Sequence, residues 1–311
     1  MMSHKVLITG GSGYLGGTLL ARLAQKKPHE SYKLYALVRS DAQANSVKEY
    51  GAEPLMFSPG DEHAVRESVV KYGITVVFFL IDAFRSDSQV NFIKALAEVR
   101  KSTGQEVHFL HTSGAKLFSS HSGAPTDRLL LDSDPRLYEI QKAQRSPHAA
   151  MQTAVSTNNT VVEQGEIHGV RTYVFVPCIV YGKGEGFGNP ISIQTVAIVK
   201  TAKATGHVYK VDTDRPSWPV CHVVDNATLY IRLLSKILNN ESIGHGKSGY
   251  YLAASGCVVW EDLYSAIAKS LVRRRVIDDA AIQLADDSAL ERMAVALGTP
   301  KEFVAPSLGG K

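Results

Sequence analysis

Val6-Leu-Ile-Thr-Gly-Gly-Ser-Gly-Tyr-Leu-Gly-Gly17 carries three signals in a fixed order. Val6, Leu7 and Ile8 form an apolar run that reads as a buried strand. Gly10, Gly13 and Gly16 follow at three-residue spacing, and Leu15, Leu19 and Leu23 then recur at helical spacing. Strand, glycine turn and helix in that order is the context that gives a glycine motif meaning. Gly10 permits the tight turn. Gly13 leaves bare backbone for a pyrophosphate, and Gly16 lets helix and strand pack closely. The helix start turns amide groups and a partial positive charge toward the same place. The stretch therefore reads as a dinucleotide cradle, with Ser12, Tyr14 and Leu15 beside the glycines as further contacts. The plainer reading is a glycine-rich strand-to-helix turn.

Outward from that stretch the chain alternates strand and helix. Leu34 to Val38 is the second strand and Glu53 to Phe57 a candidate third. Asp61 to Tyr72 is a helix with Val65, Val69 and Tyr72 on one face. Ile74 to Ile81 is a strongly apolar fourth strand, and Val90 to Arg100 is a helix. Val107 to His111 and Thr172 to Val176 are the fifth and sixth strands, and Met151 to His168 is the helix that leads into the sixth. Such alternation means parallel strands joined by helical crossovers, with ligands at the carboxyl ends. The expected fold is α/β, a doubly wound parallel sheet of Rossmann type with a small C-terminal substrate lobe. The texture changes near residue 182. The expected division is a dinucleotide-binding domain over 1–181 and a lobe over 182–311, partly interleaved with the first.

Composition narrows the classes. A chain of 311 residues with 44% hydrophobic content can bury a large core, which excludes disorder. With 34 basic and 30 acidic residues the net charge is +4, and the cations are scattered except at Arg273, Arg274 and Arg275. That argues against a nucleic-acid partner. No apolar run reaches membrane-spanning length, and the first strand begins almost at once, so neither a membrane partner nor a leader is expected. Cys178, Cys221 and Cys257 are odd in number and far apart, which suits reduced thiols in the cytoplasm. No metal-ligand spacing is present.

The end of the second strand meets the adenosine ribose in such folds. An acidic residue there accepts from both ribose hydroxyls. This chain has Val38-Arg39-Ser40 instead. Arg39 offers a charged planar fork suited to a 2′-phosphate, and Ser40 adds a donor. NADP(H) is the favoured cofactor, with NAD(H) the alternative because Asp41 is close by. Asp61 after the third strand can accept from an adenine amino group, or simply cap its helix.

Thr9-Gly-Gly-Ser-Gly-Tyr-Leu-Gly16 resembles the glycine motif of the extended short-chain dehydrogenase/reductases, the NAD-dependent epimerase/dehydratase group. Val76-Val-Phe-Phe-Leu-Ile81 resembles that family's fourth strand, which carries nicotinamide-side contacts. His111-Thr-Ser-Gly114 is similar to its serine-bearing end of the fifth strand. Val176-Pro-Cys-Ile-Val-Tyr-Gly182 is similar to its R-P-x-x-V-Y-G segment, with Val176 where arginine is usual. The resemblance spans about residues 4 to 270. It implies Leu80 and Pro177 as further cofactor contacts, a small-molecule substrate, and a dimer through two exposed helices.

The resemblance also implies a chemistry: a serine that holds the substrate oxygen, and a Tyr-x-x-x-Lys pair on the next helix. At i and i+4 the two side chains share a helix face, so the ammonium lowers the phenol's pKa. The phenol can then exchange a proton while hydride moves to or from nicotinamide. Ser113 fits the serine position, and Tyr138-Glu-Ile-Gln-Lys142 has the spelling of the pair. Pro147 nevertheless separates that pair from the helix into the sixth strand, whose opening turns hold neither Tyr nor Lys. Tyr138 and Lys142 either occupy a separate short helix reaching the cleft or lie at the surface. His148 and Tyr181 are the substitute acids or bases. Gly114 to Pro147 is a long loop of the kind that forms lids. Lys183 to Asn189, with Phe187 to stack and Asn189 to hydrogen-bond, is the other expected substrate wall beside Tyr181.

These readings converge on an NADP(H)-dependent oxidoreductase acting on a carbonyl, hydroxyl or imine of a small organic molecule. A nucleotide-sugar epimerase or dehydratase is the second enzyme reading, and a redox-inert dinucleotide-binding sensor is the non-enzymatic one.

Overall fold

The computed structural model describes residues 4–26 and 32–309. In chain order its elements are β1 (His4–Ile8), α1 (Tyr14–Gln25), β2 (Tyr32–Leu37), α2 (Asp41–Glu49), β3 (Glu53–Leu55), α3 (Glu62–Tyr72), β4 (Val76–Phe79), α4 (Asp87–Thr103), β5 (His108–Thr112), α5 (Leu137–Ala143), α6 (Ala149–His168), β6 (Arg171–Pro177) and β7 (Ile179–Tyr181). There follow α7 (Gln194–Thr205), β8 (Val208–Lys210), β9 (Ser217–His222), α8 (Val223–Leu238), β10 (Tyr250–Ala253), β11 (Gly256–Val259), α9 (Trp260–Arg273), β12 (Ile282–Leu284), α10 (Asp287–Leu297) and α11 (Val304–Leu308).

The chain forms two compact units. One comprises Met1–Pro177, Lys183–Pro190 and Val223–Ala253; the other comprises Cys178–Gly182, Ile191–His222 and Ala254–Lys311. Thus α8, β10 and the short segment 183–190 belong with the first unit, although the sequence places them beyond a boundary at 182.

The first unit is built on a parallel seven-stranded sheet in the order β10-β6-β5-β4-β1-β2-β3. The pairings Val6↔Leu34 and Val6↔Val76 put β1 at the centre. The strand order reverses there, which opens a crevice at the carboxyl ends of β1 and β4. Strand alternation divides the core into two layers. Val6, Ile8, Val76, Phe78, Leu110 and Phe175 face Leu19, Leu20 and Leu23 of α1 and Tyr230, Leu233 and Leu234 of α8. Leu7, Val77, Phe79 and Phe109 face Val65 and Val69 of α3, Phe92, Ile93 and Leu96 of α4, and Val161 of α6. Strands buried on both faces read as continuous apolar runs, which is why β1 and β4 were legible.

The second unit holds a three-stranded sheet, β11-β9-β7, and a two-stranded one, β12-β8. Trp260 and Tyr264 of α9 are buried, and both donate to the Leu308 carbonyl, at 2.5 Å and 2.8 Å. Among the described residues no helix is long and apolar enough to cross a membrane, and no cluster of three His, Cys, Asp or Glu side chains could hold a metal.

Candidate functional site

The turn between β1 and α1 has the geometry a dinucleotide needs. Gly10 has φ +71°, a left-handed conformation that glycine adopts without strain. A Cβ at Gly10 would stand 2.8 Å from the Leu80 carbonyl oxygen, and one at Gly16 would collide with the Gly10 carbonyl. A Cβ at Gly13 would stand 3.1 Å from that same carbonyl. The three glycines therefore let β1, the turn and α1 close on one another. The Gly13 amide donates to the Gly10 carbonyl at 2.9 Å, which completes the turn. Thr9 accepts the Leu80 amide at 2.9 Å through its hydroxyl, and this ties the ends of β1 and β4 together. α1 starts at Tyr14 and Leu15, and the first-turn amides of a helix precede its own hydrogen-bond ladder. These residues fit a diphosphate at a helix N-terminus.

Beyond β2, Arg39 is exposed and forms no ion pair among the described residues. Its amide donates to Gln43 Oε1 at 2.9 Å, and Gln43 Nε2 donates to Ser12 Oγ at 3.3 Å. Gln43 thus links the glycine turn to the loop that carries Arg39. Ser40 Oγ accepts the Gln43 amide at 3.3 Å and caps α2. Asp61 caps α3 by accepting the Ala64 amide at 3.0 Å. Both side chains are engaged as ordinary helix caps. Gln43 was not singled out from the sequence, because α2 buries only Val47 and gives little periodic signal.

Ser113 lies just past the carboxyl end of β5. Its amide donates to the Phe175 carbonyl at 2.8 Å, while its buried hydroxyl has no hydrogen-bond partner among the described residues. Next to it, Thr112 Oγ1 lies 2.7 Å from the hydroxyl of buried Tyr230, whose ring stacks on Phe175 at 3.7 Å.

Tyr138 and Lys142 do lie on a separate short helix, α5. Among the described residues no hydrogen bond joins either side chain to Ser113. Tyr138 is 1% exposed and packs with Leu137, Val162, Val174, Val176 and Tyr250. Its hydroxyl donates to Glu163 Oε1 at 2.8 Å, and the Lys142 ammonium is 2.9 Å from the same oxygen and 3.3 Å from the phenol. Glu163 lies low on α6, two residues before Gly165 backs onto Thr172 near the start of β6. The electrostatics also run against activation. Burial and then Glu163 push the Tyr138 phenol up, and Glu163 also holds Lys142 in its charged form. Lys142 and Tyr138 together hold Glu163 below the usual carboxylate range despite partial burial. Glu163 carries no sequence signal, since it lies far along the chain from the pair and on a different helix.

The opening turns of α6, where the resemblance places the pair, are packed instead with apolar side chains. Leu117 and Phe118 contact Met151, Ala154 and Val155. His148 precedes the helix. Its amide donates to Ser146 Oγ at 3.1 Å, and its ring lies 6.2 Å from that of His121.

The expected substrate residues are divided between the two units. Tyr181 and His222 belong to the second unit, where their rings meet edge-on at 5.3 Å and Tyr181 is 44% exposed. Phe187 and Asn189 belong to the first unit and lie against the glycine turn. The Asn189 amide donates to the Ser12 carbonyl at 2.9 Å, and the Phe187 ring lies 6.0 Å from Tyr50. Pro177 ends β6 opposite Ala253 of β10.

The NAD dependent epimerase/dehydratase family matches residues 6–245 of this chain. Oxidase ucsJ of Acremonium sp is 24% identical over 316 residues, which span 94% of this chain and 86% of the oxidase. A 4-hydroxy-2-methyl-3-oxo-4-farnesyl-3,4-dihydroquinoline-1-oxide ketoreductase of Stigmatella aurantiaca is 24% identical over 226 residues, 71% of this chain and 61% of that protein. Among solved structures, the UDP-glucose 4-epimerase of Thermotoga maritima superposes with a TM-score of 0.59 at 14% identity, covering 92% of this chain and 87% of the epimerase. Vestitone reductase of alfalfa superposes with a TM-score of 0.57 at 17% identity, covering 93% and 91%. At these identities the structural likeness speaks to the fold.

Proposed function

The chain belongs to the NAD dependent epimerase/dehydratase family, and from that premise we propose that it is an NADP(H)-dependent oxidoreductase acting on a carbonyl, hydroxyl or imine of a small organic molecule. The observation that carries the reading is the closed glycine cradle with an unpaired Arg39 beside it at the end of β2. Gly10, Ser12, Gly13, Tyr14, Leu15 and Gly16 would hold the diphosphate, and Leu80 and Pro177 would flank the nicotinamide. Arg39 would meet the 2′-phosphate as a bidentate donor. When bound, the nicotinamide supplies or accepts the hydride. The Ser113 hydroxyl, buried and without a hydrogen-bond partner among the described residues, is assigned to the substrate oxygen.

The Stigmatella relative is named as a ketoreductase, which favours a carbonyl as the reacting group. A nucleotide-sugar epimerase or dehydratase is disfavoured by Val176, buried where the resemblance expects an arginine. Among the described residues Cys178, Cys221 and Cys257 form no disulfide, which supports a reducing, cytoplasmic setting. A dimer rests on the family alone.

Arg39→Ala tests the cofactor. Its expected effect is a loss of about tenfold or more in NADPH affinity with NADH affinity nearly unchanged, the scale of a charge-assisted hydrogen bond. Fluorescence titration of both dinucleotides reads it. Equal loss for both, or none, removes the case for NADP(H).

The environment of Tyr138 favours one second reading, a dinucleotide-binding protein without turnover. The two readings separate by absorbance at the nicotinamide band with a panel of carbonyl compounds. In the enzyme reading Tyr138 is an anchor between α5 and α6. Tyr138→Phe then costs about 1–2 kcal/mol in denaturant unfolding, because a bond to a carboxylate is lost, and leaves turnover within about threefold. A hundredfold loss of turnover in a folded variant would return the phenol to catalysis.

A further inference from the structure

Resting on the dinucleotide reading above, we propose that residues 183–190 form a latch over the glycine turn and that its opening sets the rate of dinucleotide exchange. The sequence suggests a substrate wall for this segment. In the structure it lies on the cradle itself. The Asn189 amide donates to the Ser12 carbonyl at 2.9 Å, and the Glu185 amide donates to Thr18 Oγ1 at 3.1 Å. The Glu185 carboxylate receives both Nε and Nη2 of Arg22 on α1. Gly186 lies against Gly17 backbone to backbone, with a Cβ at Gly17 placed 3.0 Å from the Gly186 Cα. Phe187 packs inward beside Tyr50. A Cβ at Gly184 would stand 3.0 Å from the Tyr14 ring.

These attachments have a common target. Ser12, Tyr14, Gly17 and Thr18 surround the start of α1, where the helix amides face the proposed diphosphate. The latch is also built to move as one piece. The Gly184 amide donates to the Pro190 carbonyl at 2.9 Å, which closes the segment into a small loop whose ends meet. The described attachments are hydrogen bonds, an ion pair and loop packing rather than a strand ladder. A surface loop attached in this way opens locally, without unfolding of the sheet beneath it. The Arg22–Glu185 pair is its hasp. Both side chains are about one-third exposed, at 31% and 30%, so the pair holds the latch closed without locking it.

The test compares wild type with two variants that release the latch by different routes. Glu185→Ala removes the hasp. Gly188→Ala places a methyl group against the Ser12 carbonyl and unseats the loop. Stopped-flow fluorescence follows release of bound NADPH, and hydrogen exchange follows the amides of Glu185 and Asn189. In both variants those amides are expected to exchange faster and NADPH release to accelerate about fivefold, the scale of a partly exposed ion pair. Release within twofold of wild type in both variants, with faster amide exchange, would overturn the latch. Wild type that binds neither NADPH nor NADH would instead overturn the functional reading, and the latch with it.

Discussion

Gly16→Ala is expected to abolish measurable dinucleotide binding, a loss of at least about a hundredfold. The argument is geometric. The methyl group would project into the Gly10 carbonyl, and the nearby Gly11 amide leaves no room for a sideways shift. Both neighbours are backbone of the turn, so no side chain can rotate away. Either α1 withdraws from β1 or the turn opens, and each outcome moves the helix amides away from the diphosphate. Overpacking of this kind costs about 1–3 kcal/mol of stability as well. Gly51→Ala is the control for a glycine lost outside the cradle, since a Cβ there meets nothing within 4 Å. Its positive φ, +75°, makes that substitution strained too, so the pair of variants separates backbone strain from loss of the cradle. The measurements are NADPH titration and denaturant unfolding of both. Gly16→Ala binding as tightly as wild type would mean that the turn is not where the dinucleotide sits.

The same turn explains what was legible in the sequence. Val6 to Gly17 encodes strand, turn and helix through local rules, so a doubly wound parallel sheet could be anticipated from it and from the apolar runs of β4 and β5. The short α2 was not visible, because only Val47 of that helix is buried. The place of β10 beside β6 was hidden for another reason. It joins the sheet after a long excursion through the second unit, and such pairing depends on tertiary contacts with no local signature. The candidate site divides along the same line. The cradle residues adjoin in sequence and were readable. The Tyr-x-x-x-Lys spelling was readable too, but its meaning is set by Glu163, which only the packing of α5 on α6 brings near. Phe187 and Asn189 were seen as loop residues able to stack and to hydrogen-bond. Their contact with Tyr50 and Ser12 depends on glycine-to-glycine approach at Gly17 and Gly186, which no sequence pattern specifies.

Stability is expected to fall steeply below pH 6.5, through two histidines buried in β5. His108 is 2% exposed, stacks on Tyr173 and lies 2.9 Å from its hydroxyl through Nδ1. Burial, then the nearby His4 and Arg171, push its imidazole down to about 3. His111 is fully buried beside Phe79. Burial pushes it down to about 4, with Asn158 and Asp82 opposing. Both folded values lie below the ordinary imidazole value, so the folded state binds fewer protons than the unfolded chain across the interval between them. Stability is therefore fully present above pH 6.5 and is lost as pH falls toward 4 and then 3. At pH 5 each histidine removes about 2 kcal/mol, from 1.36 kcal/mol per pH unit over the 1.5 units below 6.5. These two groups are expected to contribute about 4 kcal/mol to the difference in denaturant unfolding between pH 7.5 and pH 5.0, and His4 and His245, also pushed down by burial, add to it. His111→Leu keeps an apolar side chain of similar size in the core and abolishes one titration. It should remove about 2 kcal/mol of that difference, whatever it does to stability at pH 7.5. A wild type as stable at pH 5.0 as at 7.5, or a His111→Leu variant with the full difference, would contradict the assignment. Glu163 adds little at pH 5.0, because the contribution of its depressed carboxylate is lost only as pH falls below the ordinary carboxylate value.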